Sequence, residues 1–90
     1  MTLTVSLPSV LVNRTKACVL QVEASSVREA VDTIDRQFPG FASDVFSSQG
    51  EIRPSLTVLV DGYSMGGIAD YEKALPPGSS IEIVRAIAGG

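Results

Sequence analysis

Ser26-Val27-Arg28-Glu29-Ala30-Val31-Asp32-Thr33-Ile34-Asp35-Arg36-Gln37-Phe38 holds the clearest structural instruction in the chain. Val27, Ala30, Val31, Ile34 and Phe38 recur at helical spacing and form one apolar stripe. Ser26 and Glu29 have the spacing of a capping box, in which a hydroxyl and a carboxylate satisfy orphan amides at a helix start. Pro39-Gly40 ends the helix. Everything around this amphipathic helix reads as strand. Upstream, Leu3, Val5 and Leu7 alternate with Thr2, Thr4 and Ser6 until Pro8. Asn13-Arg14-Thr15-Lys16 then reads as a polar turn into a second strand, Ala17–Val22, which predicts a hairpin. Downstream, 41–46 has room for one helical turn, Leu56–Val60 is a third strand closed by Asp61-Gly62, and Tyr63-Ser64-Met65 is a short fourth. Ser80–Val84 alternates again as the last strand. The expected fold is α+β, a mixed sheet of four to five strands with one main helix packed across one face.

Composition narrows the function. Ninety residues, 44% apolar and 19% charged, make one globular domain with little room for a deep cleft. A net charge of −3 does not suit nucleic acid as the main partner, because phosphate neutralisation needs a basic face. The absence of His removes imidazole catalysis and imidazole metal ligation, so no metal site is expected. The single Cys18 has no disulfide partner in the chain and, inside an apolar strand, is expected to be a small core hydrophobe. No signal peptide or membrane span is visible, and a cytoplasmic protein is the expectation.

The remaining chemical candidates have plain structural readings. Glu29, Asp32 and Asp35 interleave with Arg28 and Arg36, and Asp32–Arg36 reads as an i,i+4 ion pair on a solvated face. Gly62–Gly67 lacks the Lys and Ser/Thr of a phosphate loop, and no helix is predicted directly after it. Tyr63 and Tyr71 lie near turns. No catalytic residue is expected, and the chain is not expected to be an enzyme in its own right.

The end of the sequence is different. The last strand runs straight into Arg85-Ala86-Ile87-Ala88-Gly89-Gly90. With Val5-Ser6-Leu7-Pro8, Leu59-Val60-Asp61-Gly62 and Pro77-Gly78-Ser79-Ser80-Ile81-Glu82-Ile83, this ending resembles the β-grasp, ubiquitin-like sulfur carriers of the ThiS/MoaD type. That family includes the small subunit of molybdopterin synthase and the carrier of cysteine synthesis. The similarity covers nearly the whole chain and is sharpest at Ala86-Ile87-Ala88-Gly89-Gly90, where the family has Ala-Val-Ala-Gly-Gly. It implies a β-grasp domain over 1–84 and a flexible tail over 85–90.

The resemblance also implies a chemistry. The Gly90 carboxylate would be adenylated and converted to a thiocarboxylate, while Gly89, Ala88, Ile87 and Ala86 thread the partner's active site. No cofactor would be bound, and ATP and Mg²⁺ would be used by the activating partner. The implied partners are a ubiquitin-activating-type adenylyltransferase, a sulfur-accepting biosynthetic enzyme and a metalloprotease that processes the C-terminus. Strand parity adds a docking patch. If Ile81 and Ile83 face the helix, Val84 and Leu59 face outward, with Arg85 as a charged rim contact. Two other functions fit the same ending: a ubiquitin-like modifier joined through Gly90 to target lysines, and a plain β-grasp binding module.

Overall fold

The computed structural model describes residues 2–86. The elements run β1 (Thr2–Ser6), α1 (Ser9–Thr15), β2 (Val19–Glu23), α2 (Val27–Gln37), α3 (Phe41–Val45), β3 (Leu56–Val60), β4 (Tyr63–Ser64), α4 (Ile68–Glu72) and β5 (Ser80–Arg85). The strands form one five-stranded sheet in the order β2-β1-β5-β3-β4. β5 lies in the middle, parallel to β1 and antiparallel to β3, and the other pairs are antiparallel. The mixed α+β sheet under one main helix is therefore as expected.

Alternation decides which side is covered. Leu3, Val5, Val58, Ile81 and Ile83 point to one face and are almost fully buried. Against them lies the α2 stripe of Val27, Ala30, Val31 and Ile34, joined by Phe41 and Val45 from α3. Each large aliphatic side chain removed from water contributes about 1.5–3 kcal/mol, so this interface dominates stability. The α2 start is capped as expected on one side: Glu29 N–H donates to Ser26 Oγ at 3.1 Å. The Glu29 carboxylate reaches one residue further back than a standard box, accepting from the Ser25 N–H at 2.6 Å and the Ser25 hydroxyl at 2.9 Å.

The β1–β2 connection departs from the expected tight hairpin. Asn13-Arg14-Thr15 belongs to helix α1, and Lys16 caps it in the left-handed region at φ 60°. Pro8 both ends the strand and starts the helix, since its carbonyl accepts from Leu11 N–H at 2.9 Å. β2 consequently begins at Val19 rather than Ala17. The expected turn at 41–46 is helix α3, and β3 spans the expected residues. Asp61 and Gly62 both have positive φ, 49° and 88°, the sign pattern that lets a two-residue turn follow strand twist. A helix, α4, follows the glycines at Gly66-Gly67, where none was expected. Tyr71 anchors it, buried with its ring 5.7 Å from that of Phe46. β5 extends one residue beyond the expected Ser80–Val84, because Arg85 pairs with Leu56.

Candidate functional site

The face of the sheet away from the core helices is open. Leu59 and Val84 both lie on it, half-buried. Register puts Leu59 opposite Glu82 and Thr57 opposite Val84, so the two aliphatic side chains are diagonal neighbours across the β3–β5 ladder. Arg85 is exposed at the end of that ladder, and one residue on, Ala86 N–H donates to the Ser55 carbonyl at 2.9 Å. Leu59 and Val84 thus share the open side of the β3–β5 pair, whereas Arg85, opposite buried Leu56, has the parity of the covered side and is exposed only at the ladder's end, so the expected three-residue patch is not brought together on one face. Ile87, Ala88, Gly89 and Gly90 lie outside the described residues.

The same face holds a residue that the sequence reading missed. Ladder pairing gives a continuous row Ser64, Leu59, Glu82, Ser6 and Val19, and Val19 is 50% exposed at its far end. The available signal was the parity of Val19 relative to Val22, hidden by reading 17–22 as one apolar run. Cys18 is corrected for the same reason. It precedes β2 at the sheet edge, where it is free and exposed rather than a core side chain.

The charged groups on α2 are tied into structure, although not all as expected. Asp32 pairs with Arg28 at 3.5 Å, not with Arg36, which donates to the Thr33 hydroxyl instead. Arg28 also sits 5.1 Å from the centre of the Phe46 ring. Asp35 accepts the N–H groups of Gly40 and Ala42 and so fixes the turn into α3. The Ser25 backbone N–H and hydroxyl hold the Glu29 carboxyl below its ordinary pKa. At Gly66, the N–H donates to the Asp70 carboxylate at 2.7 Å, so the protein's own anion occupies the donor.

Among the described residues no group of His, Cys, Asp and Glu is arranged to hold a metal ion. Tyr63 is 78% exposed, and Tyr71 is buried with its ring against that of Phe46. No helix among the described residues is long and apolar enough to cross a membrane.

No protein-family model matches the sequence, and no curated protein is significantly similar to it. Solved structures are similar along almost the whole chain. A chain of the Amycolatopsis orientalis BexX/CysO complex superposes with a TM-score of 0.81 at 23% identity, covering 98% of this chain and 99% of that one. CysO of Mycobacterium tuberculosis gives 0.81 at 21% identity, over 94% and 99% of the two chains. SAMP1 from Haloferax volcanii gives 0.77 at 20% identity, with both chains covered in full. The likeness to the small carriers read from the terminal residues is thus matched by neighbours that include CysO. Through its mixed sheet, central last strand and covering helix, the chain has the ubiquitin-like β-grasp fold of the SAMP1 and CysO structures.

Proposed function

We propose that this chain is a sulfur carrier of the cytoplasm, a co-substrate rather than an enzyme, with the Gly90 carboxyl as its reactive group. The observation that supports the reading most is the position of β5. The middle strand of the sheet leads directly, past an outward apolar pair, into Ala86-Ile87-Ala88-Gly89-Gly90. A globular body with a narrow leader from its central strand suits delivery of a terminus into another protein's active site. Arg85 is paired in β5 and the Ala86 N–H is held by the Ser55 carbonyl, so the reach beyond the sheet is that of 87–90, ~14 Å if fully extended at about 3.3–3.6 Å per residue. Gly89 and Gly90 add no side chain to widen that thread.

An α-carboxyl has a reference pKa of about 3.3–3.7, so near neutrality it is an anion that resists nucleophiles. Activation removes the resistance. A carboxylate oxygen attacks the α-phosphorus of ATP, pyrophosphate leaves with the departing bond's electrons, and an acyl-adenylate remains. Hydrosulfide then adds to the carbonyl carbon, AMP leaves, and Gly90 carries a thiocarboxylate. The partner supplies ATP, Mg²⁺ and the catalytic groups. This chain's residues dock through Leu59 and Val84 and present the terminus. A biosynthetic enzyme then accepts the sulfur, and a metalloprotease exposes Gly90 wherever residues follow it.

The second reading, a protein modifier linked through Gly90 to lysines, is favoured by the likeness to SAMP1, which a further matched structure names small archaeal modifier protein 1. One reaction separates the two. The chain is incubated with a ubiquitin-activating-type adenylyltransferase, ATP, Mg²⁺ and sulfide, and pyrophosphate release and products are followed. The carrier reading expects pyrophosphate and a protein in which one oxygen is replaced by sulfur. Lysine-linked adducts without that replacement establish the modifier, and no pyrophosphate release defeats both.

A further inference from the structure

A partner that covers Leu59 and Val84 must also cover Glu82. Glu82 precedes Val84 by two residues on β5, faces Leu59 across one ladder and lies beside Ser6 across the other. Because β5 is the middle strand, this exposed carboxylate stands at the centre of the open face rather than at its rim. Among the described residues, no Lys or Arg occupies an outward position on any of the five strands. The chain's cations lie on the helices, in the loops and, as Arg85, at the end of the β3–β5 ladder. The other outward acid, Glu23, is on edge strand β2 and accepts from the Thr2 hydroxyl at 2.6 Å.

This placement constrains whatever covers the face. Burying a carboxylate without a partner is strongly unfavourable, and a facing cation with matched hydrogen bonds removes most of that penalty. A planar guanidinium meets a carboxylate through two parallel N–H donors, the best geometric match. A second copy docked through this face would bring acid towards acid, a like-charge contact that opposes self-association.

We propose that Glu82 is the charge anchor of the docking face. It receives a guanidinium from a protein surface whose flanking apolar side chains rest on Leu59 and Val84. The occupant is the activating adenylyltransferase, so the proposal rests on the carrier reading above. Glu82 sets affinity and approach, whereas the terminal glycines set the chemistry.

The test uses the full chain with a ubiquitin-activating-type adenylyltransferase. Pyrophosphate release is measured against carrier concentration, and binding to the same enzyme is measured without ATP. Glu82→Lys should raise KM and weaken ATP-free binding by at least about tenfold, with kcat within about twofold of wild type. Glu82→Gln, which keeps the shape, should fall between them, and added salt should weaken the wild type more than either variant. Melting curves of both variants identify any loss that comes from unfolding. Unchanged KM and binding in Glu82→Lys overturn the anchor and leave the carrier reading intact. Wild-type binding without pyrophosphate release defeats the carrier reading, and the binding comparison still decides Glu82. Neither binding nor release defeats both, and a wild-type dimer that Glu82→Lys disrupts assigns the face to a second copy.

Discussion

Ile83 and Val84 are consecutive residues of β5 with similar side chains and opposite surroundings. Ile83 is 1% exposed in the core, whereas Val84 stands half-buried on the open side beside Leu59 and Glu82. The backbone alternation that divides them divides the whole sheet. One face is closed by α2 and α3 and holds the fold together; the other is dressed with hydroxyls, a few aliphatic groups and carboxylates. If the open face docks a partner as proposed, the same five strands separate stability from recognition, and substitutions on the two faces should fail in different assays.

The largest contrast comes from truncating the two neighbours one at a time. Ile83→Ala should cost about 2–5 kcal/mol, seen as a large fall in Tm and in the denaturant midpoint. Val84→Ala should cost under about 1 kcal/mol while raising the carrier KM for adenylation. Equal losses of stability at both sites would erase the distinction between the faces.

Smaller effects test how the covering layer is attached. Gly40 sits at φ +102°, and an added Cβ would lie 2.5 Å from the Arg14 Nη1 that donates to the Pro39 carbonyl. Gly40→Ala should therefore cost about 1–3 kcal/mol in denaturant unfolding. Ser26→Ala removes the cap on α2 and should cost about 1 kcal/mol by the same measurement. Neither variant should alter binding through the open face.

The smallest effect is a pH dependence. Backbone and hydroxyl donation from Ser25 lowers the folded pKa of Glu29 below 4.5, so its ionised form is favoured in the folded state. The resulting stabilisation is present above the unfolded pKa and is lost as pH falls through the folded one. Glu29→Gln should lower Tm slightly near neutrality, and the gap from wild type should close on acidification. A gap that widens in acid would reverse the sign of this assignment.

The covered face was largely legible in advance because its elements are long enough to show a period. α2 carries a full stripe and a capping serine, and β3 and β5 alternate cleanly. α1 and α4 were not legible, since seven and five residues give no complete stripe and take their stability from tertiary contact. Leu11 and Thr15 are buried on one and Tyr71 on the other, contacts that exist only once the chain is folded. On the open face, parity was enough to place Leu59 and Val84. Val19 and Cys18 escaped because the edge strand starts two residues later than its apolar run. The centrality of Glu82 needed strand order, which brings β1 and β5 side by side from opposite ends of the sequence.

The most direct test of the account is to locate the sulfur after reaction with the adenylyltransferase, ATP, Mg²⁺ and sulfide. The protein is digested, and the peptide ending at Gly90 and the peptide containing exposed Cys18 are both weighed and fragmented. The account predicts replacement of one oxygen by sulfur at the Gly90 carboxyl and an unchanged Cys18. An unmodified Gly90 peptide, with the sulfur on Cys18 or on neither, would contradict it.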